Sequence, residues 1–336
     1  MLLKLHKPII NNLTLKEFYN KRNKIIIIRN ARGIGDILNC RMLFKTFKTL
    51  MPESHLAFAC YREYMDLVRL HPYLDEVIDV KDINKENYMI SYDISTCCIH
   101  YESHKGINND LHRADIWAKH CGIELQDHDM LLPFIPEEFL LHNYLKIKQL
   151  KNMFSSKYNK NGPSVLLCPW AFDPLRSLTH QQMVGLVDML RRKGLFVYVT
   201  HNFEVPIMRE LAVPVLVGKS LPEWLSFIHA ADYVVSVDTA TFHYAGGINK
   251  PLTGIFTYAD GKLRGKYYDF VLVQKHKDNG NWPCGPCYTY VNCTNSKCKN
   301  PTSFTEAKPC LTELTLREIE EGVDKMLEKW KIMVKF

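Results

Sequence analysis

Two groups of residues have the types and spacing to do chemistry. The first lies in Tyr233–Phe256, Y-V-V-S-V-D-T-A-T-F-H-Y-A-G-G-I-N-K-P-L-T-G-I-F. Its β-branched run, Val234 to Val237, is short enough to be a buried strand and leaves Asp238 and Thr239 at the strand's carboxyl end. Either residue can cap a helix through Ala240, Thr241, His243, Tyr244 and Ala245, stopped by Gly246, Gly247 and Pro251. The bare amides of such a helix start suit a phosphate, although an ordinary strand–turn–helix with a solvated cap reads the same way. The second group is C-G-P-C-x5-C-x4-C-x11-C, made of Cys284, Cys287, Cys293, Cys298 and Cys310. C-x2-C with further cysteines suits a tetrahedral thiolate site for zinc or iron, the alternative being unmetallated thiols. No histidine is close enough to suggest an open catalytic position, so the expected metal is structural.

Positioning these residues requires a scaffold, and its pattern is plain. Lys24 opens a strand of consecutive isoleucines, Ile25–Ile28, which suits a parallel sheet covered on both faces. The loop Arg29-Asn30-Ala31-Arg32-Gly33-Ile34-Gly35-Asp36 follows, then a helix with Ile37, Leu38, Met42, Leu43 and Phe47 at helical spacing. Strands are expected at His55–Tyr61, Val77–Val80 and Tyr92–Thr96, with helices at Tyr64–Leu70 and His112–Cys121. A helix from residue 137 then runs into the polar stretch S-S-K-Y-N-K-N-G-P. A second alternation follows: strands at Val165–Cys168, Phe196–Thr200 and Val215–Val217, helices at Thr179–Lys193, Val205–Ala212 and Leu221–Ala230, and a last helix at Leu314–Trp330. Such alternation means βαβ units and parallel sheets, hence an α/β fold. We expect a basic lead-in over 1–23, one Rossmann-like domain over 24–150 and a second over 164–330, the latter containing the Cys-rich segment 282–311.

At 336 residues, 46% hydrophobic and 24% charged, the chain suits two globular domains. No apolar run is long enough to cross a bilayer, and the first residues lack the core of a secretory signal, so a cytoplasmic location is expected. Cys40, Cys60, Cys97, Cys98, Cys121 and Cys168 stand in apolar contexts and read as reduced core thiols. The net charge of +7 is concentrated: residues 1–24 and 261–300 each carry +5, leaving the remainder acidic. Concentrated positive charge suggests an anionic partner such as nucleotide phosphates, a phosphorylated glycolipid or nucleic acid.

The pattern V-D-T-A-T-F-H-x-A-G-x-x-x-K-P resembles the donor-site signature of glycosyltransferase family 9, the lipopolysaccharide heptosyltransferases, with Asp238, Thr239, His243, Ala245 and Pro251 matching. Ala240 stands where that family usually has Gly. Gly33-Ile34-Gly35-Asp36 resembles the same family's opening turn. The resemblance implies a GT-B architecture, two Rossmann-like domains with parallel sheets facing a cleft, and an inverting transfer from a nucleotide-diphosphate sugar without a catalytic divalent metal. It implies that Asp36 is the general base, with Arg32, Gly33 and Gly35 forming the acceptor-side loop. It places Arg176 (in the turn P-W-A-F-D-P-L-R-S-L-T), Glu204, Asp238, Thr239, Ala240, Thr241 and His243 at the donor. Arg176 takes the place of the basic residue that precedes a Trp-Pro pair in the family, and that pair is missing here. Cys284, Cys287 and the Cys310-Leu311 pair match a C-terminal cysteine element of some members, with Cys293 and Cys298 competing for a fourth ligand place.

The implied acceptor is a saccharide, lipopolysaccharide core or protein. The two basic segments leave open DNA carrying hydroxylated bases, flanked by Lys262, Arg264 and Lys266. Two other readings compete. A nucleotide-sugar epimerase or dehydrogenase would need a third glycine after Gly33-Ile34-Gly35-Asp36 and a later ribose-binding Asp. A zinc-ribbon nucleic-acid-binding module would use the cysteines alone.

Overall fold

The computed structural model describes residues 23–158, 162–201, 205–275, 288 and 309–331. The basic lead-in, Glu204, Cys284, Cys287, Cys293 and Cys298 lie outside the described residues. The chain divides into two compact units, Met1–His104 with Leu111–Phe134, and Lys105–Asp110 with Ile135–Phe336.

The first unit runs β1 (Lys24–Ile28), α1 (Ile34–Leu50), β2 (His55–Cys60), a 3-10 turn at Arg62–Leu67, β3 (Glu76–Asp79), β4 (Ile90–Asp93), α2 (Cys97–Lys105) and α3 (Arg113–His120). Its four strands are all parallel, in the order β3-β2-β1-β4. All four isoleucines of β1 are buried, so the sheet is covered on both faces, as the absence of alternation requires. Ile26 and Ile28 pack with Ala57 and Ala59 of β2, whose small side chains leave room for the branched ones. The expected helix over 64–70 is only a 3-10 turn, closing at Val68 before Leu70 takes a positive φ of 67°. Helix α2, with C-C-I-H-Y-E-S-H-K, has little apolar periodicity and is not legible in the sequence.

The second unit runs α4 (Glu137–Tyr158), β5 (Ser164–Cys168), α5 (His180–Arg192), β6 (Phe196–His201), α6 (Pro206–Glu210), β7 (Val215–Val217), α7 (Leu221–Ala230), β8 (Tyr233–Val237), α8 (Ala240–Gly247), β9 (Leu252–Phe256), α9 (Gly261–Arg264), β10 (Val271–Gln274), α10 (Pro309–Thr312) and α11 (Leu316–Lys329). Six parallel strands lie in the order β10-β9-β8-β5-β6-β7. Helices α5 and α11 each start in a reciprocal cap, Thr179 with Gln182 and Thr315 with Glu318, which fixes where they begin. Helix α4, which precedes the polar stretch used above as a boundary, packs on α7, where Asn143 donates to Ser226 Oγ at 2.6 Å.

The strand orders locate the sites. In the first sheet the chain leaves β1 toward β2 on one side and returns through β4 on the other. In the second, β5 leads to β6 on one side while its other neighbour, β8, leads to β9. Ligands of open α/β sheets bind beyond the carboxyl ends of strands at such switch points. Asp36 follows β1, Arg176 follows β5, and Asp238 follows β8. Cys40, Cys60, Cys98 and Cys121 are buried free thiols, as read above, while Cys97 and Cys168 are half-buried. Burial pushes the Cys60 thiol up to about 12, which keeps it neutral. Among the described residues, no helix is long and apolar enough to cross a membrane.

Candidate active site

In the first unit Gly33 sits at the N-cap of α1 with φ 133°, a left-handed conformation that favours glycine. The turn it allows puts Asp36 in the first turn of α1 rather than at the cap itself. Arg29, at the end of β1, donates from Nη2 to Asp36 Oδ2 at 2.6 Å, and Arg113 at the start of α3 donates from Nη1 to Oδ1 at 2.6 Å. Each carboxylate oxygen therefore receives a charge-assisted bond from a different arginine. Arg113 is in turn gripped by Glu102 of α2, Nε to Oε1 at 3.0 Å and Nη2 to Oε2 at 2.9 Å. Arg29 also donates to the carbonyl of Ser95 and lies over the Trp117 ring at 5.6 Å. Burial works against both guanidinium charges, but Asp36 outweighs it at Arg29, and Asp36 with Glu102 outweighs it at Arg113, so both are held above their ordinary values. Asp36 keeps 13% of its side chain exposed, whereas Glu102 keeps none.

The second cluster is built on Asp238, which is 5% exposed. Arg176 donates to its carbonyl at 2.9 Å and lies 3.6 Å from its carboxylate. His243 Nε2 is 3.7 Å away and Arg264 Nε 4.0 Å. Burial opposes the charge on Asp238, but His243, Arg176 and Arg264 outweigh it and hold the carboxyl well below its ordinary range. His243 also meets the Tyr268 hydroxyl through Nδ1 at 3.3 Å. Tyr268 fits against α8 because residue 246 is glycine: a Cβ there would sit 2.4 Å from the ring. Thr239 holds the N-cap position of α8 without capping it by its side chain, and its hydroxyl lies 3.3 Å from Ser236 Oγ and 3.6 Å from Cys168 Sγ. The first-turn amides of Ala240, Thr241 and Phe242 have no intrahelical acceptor, so they suit an anion.

The structure thus brings Arg176, Asp238, Thr239, Ala240, Thr241 and His243 to one strand end, and Arg32, Gly33, Gly35 and Asp36 to another. Arg32 is exposed and Thr241 is buried. Asp238 and His243 are both buried and lie close to each other, with Arg176 beside Asp238. Arg264, read above as part of a basic surface, is 6% exposed, paired with Asp238 and stacked over Tyr288 at 5.6 Å. Among the described residues of that segment Lys262 and Lys266 are exposed, Lys266 lying over the Tyr267 ring. Arg29, Glu102 and Arg113 escaped the sequence reading. The only signal for them is a charged residue placed directly after a wholly apolar strand, because the pairing of residues 36, 102 and 113 depends on how α1, α2 and α3 pack. Of the candidate metal ligands only Cys310 is described, half-buried in α10; among the described residues no group of three or more His, Cys, Asp or Glu could hold a metal.

No protein-family model matches the sequence, and no curated protein does. Solved structures do. A glycosyl transferase family 9 protein from Veillonella parvula superposes with a TM-score of 0.61 over 92% of this chain and 98% of its own, at 11% identity. The fold is that of the family 9 glycosyltransferases. The ADP-heptose lipopolysaccharide heptosyltransferase II of E. coli matches with a TM-score of 0.56 at 13% identity, covering 92% of this chain and 99% of that one. The dodecameric iron-containing heptosyltransferase TibC, from enterotoxigenic E. coli and solved with ADP-D-β-D-heptose, gives 0.63 at 10% identity over 92% and 77%. The expected α/β fold with two all-parallel sheets, like that of the GT-B neighbours, therefore holds.

Proposed function

We propose that the protein is an inverting glycosyltransferase that moves a sugar, heptose-like or other, from a nucleotide-diphosphate donor to an acceptor hydroxyl. The observation that supports it best is the coincidence of the family 9 fold with a charged cluster at the switch point of each sheet. The second unit is the donor domain. The first-turn amides of α8 and the Arg176 guanidinium neutralise the diphosphate as it leaves, with Thr239 adding a hydroxyl. The family resemblance assigns Glu204 to the nucleotide's ribose or base. The first unit is the acceptor domain, in which Asp36 takes the proton from the acceptor hydroxyl as that oxygen attacks the anomeric carbon and the sugar–phosphate bond breaks. The acceptor is a glycan, lipopolysaccharide core or protein hydroxyl, and the enzyme works in the cytoplasm.

Calorimetry with ADP, UDP and GDP tests the donor half. At least one should bind, and Thr239→Val should weaken it by about 1–2 kcal/mol, the scale of one hydrogen bond to a charged group. Unchanged affinity in that variant would place the phosphate elsewhere. For the acceptor, duplex DNA binding across a salt series is decisive. Binding at low salt that falls steeply with salt and weakens in Lys262→Ala/Lys266→Ala would favour DNA, and none would leave a saccharide or protein.

The thiolates of Cys284, Cys287 and Cys310, with Cys293 or Cys298, have the donor chemistry for structural zinc or iron. Purified protein should carry about one metal ion per chain, lost with thermal stability in Cys287→Ser. Metal-free protein from an anaerobic preparation would rule the site out.

A further inference from the structure

We propose that Arg113, locked by Glu102, is a positioning residue that fixes the proton-accepting carboxylate of Asp36. The inference rests on the reading of Asp36 as the base. A guanidinium has five donors in a rigid fork and could engage a carboxylate through two of them. Glu102 occupies the Nε and Nη2 side of Arg113 at 3.0 and 2.9 Å, which turns its Nη1 to Asp36. Arg29 contributes a second bond, on the other oxygen. The two oxygens of Asp36 are therefore bonded by two different arginines, which fixes the carboxylate from both sides. The Asp36 side chain is still 13% exposed, which leaves the carboxylate within reach of a substrate hydroxyl.

The charges make the same point. Arg29 and Arg113 are balanced by Asp36 and Glu102, and Glu102 is wholly buried with its charge spent on Arg113. If Glu102 were neutral, an uncompensated guanidinium would bear on Asp36 and weaken it as a base. The groups around Asp36 include Arg29 at the end of β1, Arg113 on α3, Glu102 on α2, the thiols Cys40 on α1 and Cys97 on α2, both beside Arg29, and Cys98 on α2 beside Arg113 and Glu102. Burial keeps the Cys40 thiol neutral. Cys98's hydrogen bond lowers the Cys97 thiol against burial, with Arg29 assisting.

Carbon-13 NMR of aspartate side-chain carboxyls in the full-length protein tests the lock without any substrate, with the Asp36 resonance assigned as the one missing from Asp36→Asn. In Glu102→Gln/Arg113→Gln, which removes both charges together and leaves no buried ion unpaired, Asp36 should titrate about one pH unit or more higher than in wild type, as expected for losing an adjacent cation. In Glu102→Gln alone it should titrate no higher than wild type. A double variant that titrates like wild type, or a Glu102→Gln protein that titrates above it, overturns the proposal. Either variant alone can decide it. Failure of the base reading looks different: Asp36→Asn would then keep its turnover, whatever the titration shows.

Discussion

Asp36→Asn is expected to keep donor affinity while lowering turnover by about a hundredfold or more, the usual cost of losing a positioned base. The side chain keeps its shape, and its amide oxygen can still accept from one arginine. Its amide nitrogen, however, is a donor facing a donor, and one of the two carboxylate charges that balanced Arg29 and Arg113 is gone. A fall in thermal stability should accompany the loss of turnover, because breaking a buried ion pair on one side costs about 3–5 kcal/mol when nothing relaxes to take its place. The two effects separate if turnover is measured well below the unfolding temperature, with circular dichroism confirming the fold. Near-wild-type turnover would reduce Asp36 to a helix residue that merely pairs two arginines.

The second large effect is expected at Asp238. Asp238→Ala removes the carboxylate that Arg176, Arg264 and His243 face, in a region where Asp238 and Arg264 are almost wholly buried. A stability loss of about 3–5 kcal/mol follows from the same reasoning, together with weaker nucleoside-diphosphate binding as Arg176 loses the carboxylate that fixes it. The pH dependence carries a sign. The folded-state carboxyl lies below its ordinary value of 3.8, so its contribution is fully present above that value and fades as pH falls below it. The gap in unfolding free energy between wild type and Asp238→Ala should be widest near neutral pH and narrow below about pH 4. A gap that stays constant down to acid unfolding would show that the Asp238 charge does not stabilise the fold.

Much of this was legible in the sequence, for physical reasons that differ by element. The isoleucine run of β1 and the Val234–Val237 core of β8 could only be strands covered on both faces, and both are. Thr179 and Thr315 carry their cap partners three residues on, and the expected starts at 179 and 314 fall within two residues of the observed ones. Gly33 announced a turn that needs a positive φ. What stayed hidden depends on long-range packing. Glu102 and Arg113 are eleven positions apart on helices of weak amphipathicity, and nothing local says that they meet each other or Asp36. Arg264 read as one of several surface cations because charge can be counted along a sequence but burial cannot. Strand β10 was missed for a related reason: V-L-V-Q is short, and it is fixed as a strand by pairing with β9.

The central claim is that this fold transfers sugar from a nucleotide-diphosphate donor, and donor consumption tests it most directly. Wild-type protein should be incubated with a panel of nucleotide sugars that begins with ADP-D-β-D-heptose, with and without saccharide and protein acceptors, and the products identified by mass spectrometry. Release of a nucleoside diphosphate from at least one donor, with the sugar recovered on water or an acceptor and the release suppressed in Arg176→Gln, is the result predicted. Survival of every donor intact, or equal release by wild type and Arg176→Gln, would contradict the account.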